Sequence, residues 1–288
     1  MKKIITIVFT LISIFSFSDT ILTDMQATYT LTSVLTQNTG LKVKSVFETS
    51  KSMASNQYES FKQKDFSLNK YKDIVAVVDI KSIWNDEALY NFARQENIRV
   101  VEIDASNSFE DNSSLVIPLL TKKNNNYNEF IWLNFNNTKK MLKIISSDLI
   151  KLYPNKKKII SKNLNDALNK IKNIELKYLE INDINGAIIL SEDIAYLLDY
   201  LNIPYIYVEN REEITNVIEN TGYNLVLTDK GEKKSFKDSL KKYKANLITI
   251  QTGKFPVEDK DDEDLMSKNG LFEIYENNLK KLKNINNK

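Results

Sequence analysis

The sequence predicts an α/β protein of two lobes, each a mainly parallel sheet flanked by helices, bridged by one long helix. Three observations carry this reading. First, the chain from Pro154 to about Ile181 holds no further Pro and no Gly. Within it Ile160, Leu164, Ala167, Leu168, Ile171, Ile174, Glu175 and Tyr178 fall three or four residues apart, one stripe down a helix. At 1.5 Å per residue that helix would be roughly 35–40 Å long, the span of a small domain. Second, strand-like runs alternate with helical periodicity on both sides of it, the signature of parallel βαβ units. Third, 288 residues with 42% apolar and 27% charged side chains suffice for two ordinary globular domains. The expected division is a leader at 1–18, an N-terminal lobe at 19–152, the bridging helix at 153–181 and a C-terminal lobe at 182–288.

The leader comes from Lys2 and Lys3 followed by the apolar run Ile4–Phe17 and the small residues Ser16 and Ser18. That is the pattern of a secretory signal peptide, with cleavage expected after Ser18. The run is short for a membrane span, and without cysteine a thioether-linked lipid anchor is excluded. The mature chain is expected to be exported, in the periplasm.

Within the first lobe, Thr20–Thr23 reads as a strand and Tyr29–Thr39 as a helix closed by Gly40. Leu41–Phe47 alternates apolar with polar residues, so it reads as a strand. A Ser- and Asn-rich loop covers 48–56, and a short helix starts at Ser67. Asp73–Val78 is β-branched and uncharged after its first residue, a strand buried on both faces. A helix over Glu87–Glu96 leads to a strand at Val100–Ile103. Ser106–Asn128 reads as a polar loop carrying one short strand at Leu115–Leu120, and Asn134–Leu152 as a helix. Beyond the long helix, strands are expected at Gly186–Leu190, Tyr205–Val208, Leu225–Thr228 and Leu247–Ile250. Helices are expected at Asp193–Leu201, Glu212–Asn220, Phe236–Tyr243 and Leu271–Leu282. The acidic run Glu258–Asp264 reads as an exposed turn.

Composition removes much chemistry. The chain has no Cys and no His, which excludes disulfides, Cys-based zinc sites, the usual imidazole ligand and the usual neutral-pH general base. Ser/His/Asp and Cys/His triads are therefore impossible. With six Gly in the chain there is no G-x-x-x-x-G-K-[ST] and no G-x-G-x-x-G to cradle phosphate. Ser67-Leu68-Asn69-Lys70 matches S-x-x-K only as the opening of a surface helix, and no spacing sets two carboxylates face to face. No catalytic residue is expected, and the chain is not expected to be an enzyme. A net charge of +2 gives no field favouring nucleic acid.

The order of elements, with three local patterns, resembles the periplasmic solute-binding proteins of zinc and manganese ABC transporters, the ZnuA/TroA-like group. The patterns are Asn56-Gln57-Tyr58-Glu59, then Asn128-Glu129-Phe130-Ile131-Trp132-Leu133, then Ser191-Glu192-Asp193-Ile194-Ala195-Tyr196-Leu197. Tyr153-Pro154 and Asn163-Leu164 stand at the family's distances. The resemblance implies two α/β lobes around one long helix, a metal in the cleft, delivery to an ABC transporter permease, and action as a monomer. It also implies four ligand positions, which here hold Asn56, Phe130, Ser191 and Gln251. An amide, a phenyl ring and a hydroxyl do not close a zinc shell. The family's His-rich loop is replaced by Asn and Lys over 107–128.

Three readings follow. The cleft takes an uncharged or organic solute, with Asn56, Ser191 and Gln251 giving hydrogen bonds and Phe130 and Trp132 apolar contact. Or a substitute cation site is built from Asp24, Glu129, Glu192 or Asp193, favouring Mn, Mg or Ca over Zn. Or the two lobes serve as a surface or interaction module that binds no metal.

Overall fold

The structure is a computed structural model that describes residues 19–46, 61, 67–68, 71, 73–108, 116–122, 125–181, 184–259 and 266–285. The expected leader, the loop holding Asn56, Tyr58 and Glu59, nearly all of the short helix from Ser67, and most of the acidic run after Glu258 lie outside them.

Among the described residues eight strands form two parallel sheets. The first holds β1 (Thr20–Thr23), β2 (Lys42–Ser45), β3 (Ile74–Asp79) and β4 (Val101–Asp104) in the order β2-β1-β3-β4. The second holds β5 (Ala187–Ile189), β6 (Tyr205–Tyr207), β7 (Leu225–Thr228) and β8 (Asn246–Thr249) in the order β6-β5-β7-β8. The two orders are the same, and every pairing is parallel. Among the described residues the α-helices are α1 (Gln26–Thr36), α2 (Leu89–Glu96), α3 (Phe135–Leu152), α4 (Lys157–Tyr178), α5 (Ala195–Tyr200), α6 (Ile214–Thr221), α7 (Lys234–Lys242) and α8 (Gly270–Lys283).

Strand parity sorts the apolar residues, because successive side chains leave a strand on opposite faces. Ile21, Ala76, Val78 and Ile103 of the first sheet share one continuous core with Ala187, Ile189, Leu225 and Leu227 of the second. Their neighbours Leu22 and Val77 pack outward under α2, on Leu89 and Ala93. Ile188 and Val226 do the same in the second sheet, against Ile214, Ile218 and Leu240. Both sheets are thus covered on two faces, which is why the central strands β3, β5 and β7 are almost wholly apolar, while the edge strands β2 and β4 keep charged residues.

The long helix α4 follows a 3-10 turn at Pro154–Lys156 and is 22 residues long. Its length is therefore about 33 Å. Ile160, Asn163, Ala167, Ile171, Ile174 and Tyr178 are its buried residues, so the expected stripe is the buried one with Asn163 added and Leu164 and Leu168 only half-buried. It packs on α1, α3 and α8. The last helix, α8, returns to α1, so the chain ends against the helix that covers its first sheet.

Three expectations need correction. The first helix spans Gln26–Thr36, not Tyr29–Thr39. Tertiary partners extend its start: the Gln26 amide donates to the Ser267 carbonyl at 3.0 Å and accepts from Val257 N at 2.7 Å. Left-handed backbone at Asn38 and Gly40 then turns the chain into β2. The expected short strand at Leu115–Leu120 is absent among the described residues, which show only a bridge from Leu120 to Tyr127. Side chains take the place of a neighbouring strand there. The Asn137 amide pairs with both N and O of Ile117, and Leu119 N donates to the Tyr196 hydroxyl. The expected helix at Asp193–Leu201 opens as a 3-10 turn over Glu192–Ile194.

Candidate functional site

In an open parallel sheet, ligands sit outside the carboxyl ends of the strands where strand order reverses. In the first sheet that point lies between β1 and β3, whose ends carry Asp24 and Asp79, both fully buried. In the second it lies between β5 and β7, whose ends lead to Ser191 and Asp229. The Asp79 carboxyl accepts from Lys81 N at 3.3 Å through Oδ1 and shares a side-chain hydrogen bond with Glu102 on the neighbouring strand. Burial, then Glu87, Glu102 and Asp104, push its pKa well above the usual carboxylate range.

Residues 128–134 pass between the sheets and are built to be rigid. Asn128 Oδ1 accepts from Phe130 N at 3.0 Å, a 3-10 turn covers Ile131–Leu133, and Asn134 caps α3 by accepting from Asn136 N at 2.9 Å. Trp132 Nε1 donates to the Thr252 carbonyl at 2.7 Å, and the Tyr275 hydroxyl donates to the Trp132 carbonyl at 2.6 Å. Asn128 Nδ2 donates to the Glu192 carbonyl at 2.6 Å, and the Tyr196 hydroxyl donates to Asn128 O at 3.1 Å. The segment is therefore tied to the β5 and β8 ends of the second sheet.

Three carboxylates and one ammonium group lie along this seam. Lys254 Nζ is 3.8 Å from Asp193 Oδ2. Burial raises the Asp193 pKa to about 6; Lys254 opposes the rise, and Asp229 and Glu129 add to it. Burial likewise raises Glu129, with Lys254 opposing and Asp86 adding. The loop that carries Lys254 is shaped by Gly253, whose backbone is left-handed at φ +85°. A Cβ there would stand 3.1 Å from Trp132 Nε1, so glycine lets the loop close onto the indole.

Of the residues expected from sequence, Asn56 lies outside the described set. Phe130 and Trp132 are core residues with rings edge to face at 5.4 Å, and neither presents surface to solvent. Ser191 caps the 3-10 turn, its hydroxyl accepting from Asp193 N at 3.3 Å. Glu192 accepts from Lys122 N at 2.7 Å, which ties the 116–122 segment to the second lobe. Gln251 is anchored to α8: its N and O pair with the Asn278 amide, and its side chain accepts from Asn277. Glu129 and Asp193 are thus brought into one electrostatic cluster, whereas no hydrogen bond among the described residues joins Gln251 to Phe130 or Ser191. Sequence reasoning missed Lys254 and Asp229. Gly253, one of six glycines in the chain and placed just after a strand, is the signal that could have marked Lys254. Among the described residues no three carboxylates gather closely enough to hold a metal ion. No helix among them is long and apolar enough to cross a membrane.

Two parallel four-stranded sheets flanked by helices, with one long helix packed on α1, α3 and α8, define a two-lobed α/β protein. The family profile described as ZnuA, zinc-uptake complex component A periplasmic, matches residues 27–216, well over half of the chain. The chain belongs to that family. Three solved structures share the fold. Zn(II)-bound AdcA from Streptococcus pneumoniae is 14% identical with a TM-score of 0.71, over 92% of this chain and 57% of AdcA. The metal-dependent lipoprotein YcdH from Bacillus subtilis is 13% identical with a TM-score of 0.72, over 93% of this chain and 98% of YcdH. FpvC from Pseudomonas aeruginosa, in complex with Mn2+, is 11% identical with a TM-score of 0.70, over 94% and 99%. This chain thus spans just over half the length of AdcA. No curated protein sequence matches it.

Proposed function

We propose that this chain is the exported, periplasmic solute-binding receptor of an ABC uptake transporter of the metal-transport class, with its specificity moved away from zinc. It hands its cargo to a membrane permease and acts as a monomeric binding protein, not an enzyme. The leader at 1–18, the lobes at 19–152 and 182–288 and the bridge at 153–181 are its parts. Family membership and the shared fold support the receptor role, and relatives solved with Zn(II) and Mn2+ support a metal-transport ancestry. One observation carries the change of specificity. The chain contains neither imidazole nor thiol, and by the family resemblance its ligand positions would hold Asn56, Phe130, Ser191 and Gln251. Carboxylates and amides alone favour Mn, Mg or Ca over Zn. Even these lack a gathered set of three carboxylates among the described residues.

Thermal unfolding with micromolar zinc tests the reading. A ligand at about 100 times its Kd adds about 2.7 kcal/mol to stability, several degrees of Tm in a chain of this size. The expected outcome is no rise that a chelator reverses. A chelator-reversible rise of that size means that zinc specificity has been kept.

A further inference from the structure

We propose that Lys254 is the resident cation of this cleft: its ammonium group, set against Asp193 and Glu129, does the charge balancing that a free cation would otherwise do and excludes one. The proposal rests on the receptor reading and names the residue that sets its specificity. Three separate parts of the chain supply the carboxylates: Glu129 from the segment between the sheets, Asp193 from the turn after β5, and Asp229 from the end of β7. Among the described residues Lys254 is the ammonium group set against Asp193 and Glu129, 3.8 Å from Asp193 Oδ2, with the side chains of Lys254 and Asp193 33% and 24% exposed, while Asp229 also faces the Arg211 guanidinium. At that exposure the pair is partly shielded from water, so the carboxylates keep a demand for positive charge.

The placing of Lys254 is built, not incidental. Thr252 is buried and its carbonyl is held by Trp132. Gly253 closes the loop against the indole, and Lys254 N donates to Thr252 Oγ1 at 3.4 Å. The stem of Lys254 therefore leaves a fixed point on the second lobe. A tethered ammonium is a compact point charge that needs no exact coordination shell, so it can serve carboxylates spaced too widely to grip a metal ion. It also opposes any free cation entering beside it, because like charges a few ångströms apart repel strongly in a partly desolvated site.

Two variants and one small cation test this. Lys254→Ala removes the ammonium and leaves space; Lys254→Met removes it and keeps the bulk of the stem. Both are expected to lower Tm by about 2–4 °C. Adding n-propylammonium chloride, at ionic strength matched with NaCl, should restore most of the loss in Lys254→Ala. It should do nothing for Lys254→Met or the parent protein, and tetramethylammonium, too bulky for the gap, should restore nothing. An unchanged Tm in both variants overturns the proposal. So does equal recovery in every salt, or a parent protein that responds to propylammonium as Lys254→Ala does. The outcome is separable from the receptor reading, because the zinc test uses the parent protein alone and this one reads the difference between variants.

Discussion

Trp132 and Thr252 are 120 residues apart in sequence and are joined by a 2.7 Å hydrogen bond from the indole Nε1 to the carbonyl oxygen. The bond fastens the segment between the sheets to the loop that presents Lys254. Both residues are almost wholly buried, so water cannot replace either partner. Trp132→Phe keeps an aromatic ring but leaves that carbonyl unpaired, at a cost of about 1–3 kcal/mol, and smaller bulk adds a cavity term. Gly253→Ala attacks the same joint from the other side, through a disfavoured φ and a close approach to the indole. Both should lower the urea midpoint without changing the slope of the transition. A midpoint within error of the parent for both variants would show that the joint contributes nothing.

Asn163 makes the equivalent attachment for the long helix. Its Nδ2 donates to Leu35 O at 3.0 Å and to Gln37 O at 2.8 Å. These carbonyls belong to the end of α1, where helical partners run out. Asn163→Ala strips a buried pair of acceptors of their donor and is expected to cost about 2 kcal/mol. Hydrogen exchange should accelerate first at the C-terminal turn of α1 and the start of β2, since those are the groups released. Unchanged protection there would mean that the contact only accompanies the packing.

The strands and helices were largely legible because their patterns are local. Leu225–Thr228 was placed to the residue, and the stripe on α4 follows from spacing alone. What escaped depends on partners distant in the chain. The absent strand at 115–120 is explained by Asn137 and Tyr196, which lie 20 and 77 residues from the backbone groups they satisfy. Asn163 was visible as part of an Asn-Leu pair, yet nothing in its neighbours says that its amide reaches the end of α1. Lys254 is one of 40 basic residues in the chain, most of which read as solvated surface. Only the fold brings it to Asp193, and Gly253 beside it is the local signal that could have marked it.

Asp193 and Asp79 give the protein a pH dependence of definite sign. Each carboxyl has a pKa raised in the folded chain, chiefly by burial, so the folded state binds protons more tightly than the unfolded one. The stability linked to each is therefore full at acid pH and declines as pH rises from the unfolded value toward the folded one. For Asp193 the decline runs from 3.8 to about 6 and is largely complete at neutral pH. Its size is on the order of 3 kcal/mol at most. Asp79 is raised in the same direction, so its share of the decline has the same sign. Asp193→Asn should flatten the Tm profile between about pH 4 and 6, and Asp79→Asn should make the decline with rising pH shallower. The two amides keep the size of the side chains, so a loss of stability at pH 4 would report a lost hydrogen bond, not a titration. Parent Tm values that rise steadily from pH 4 to 8 would contradict the raised pKa of both groups.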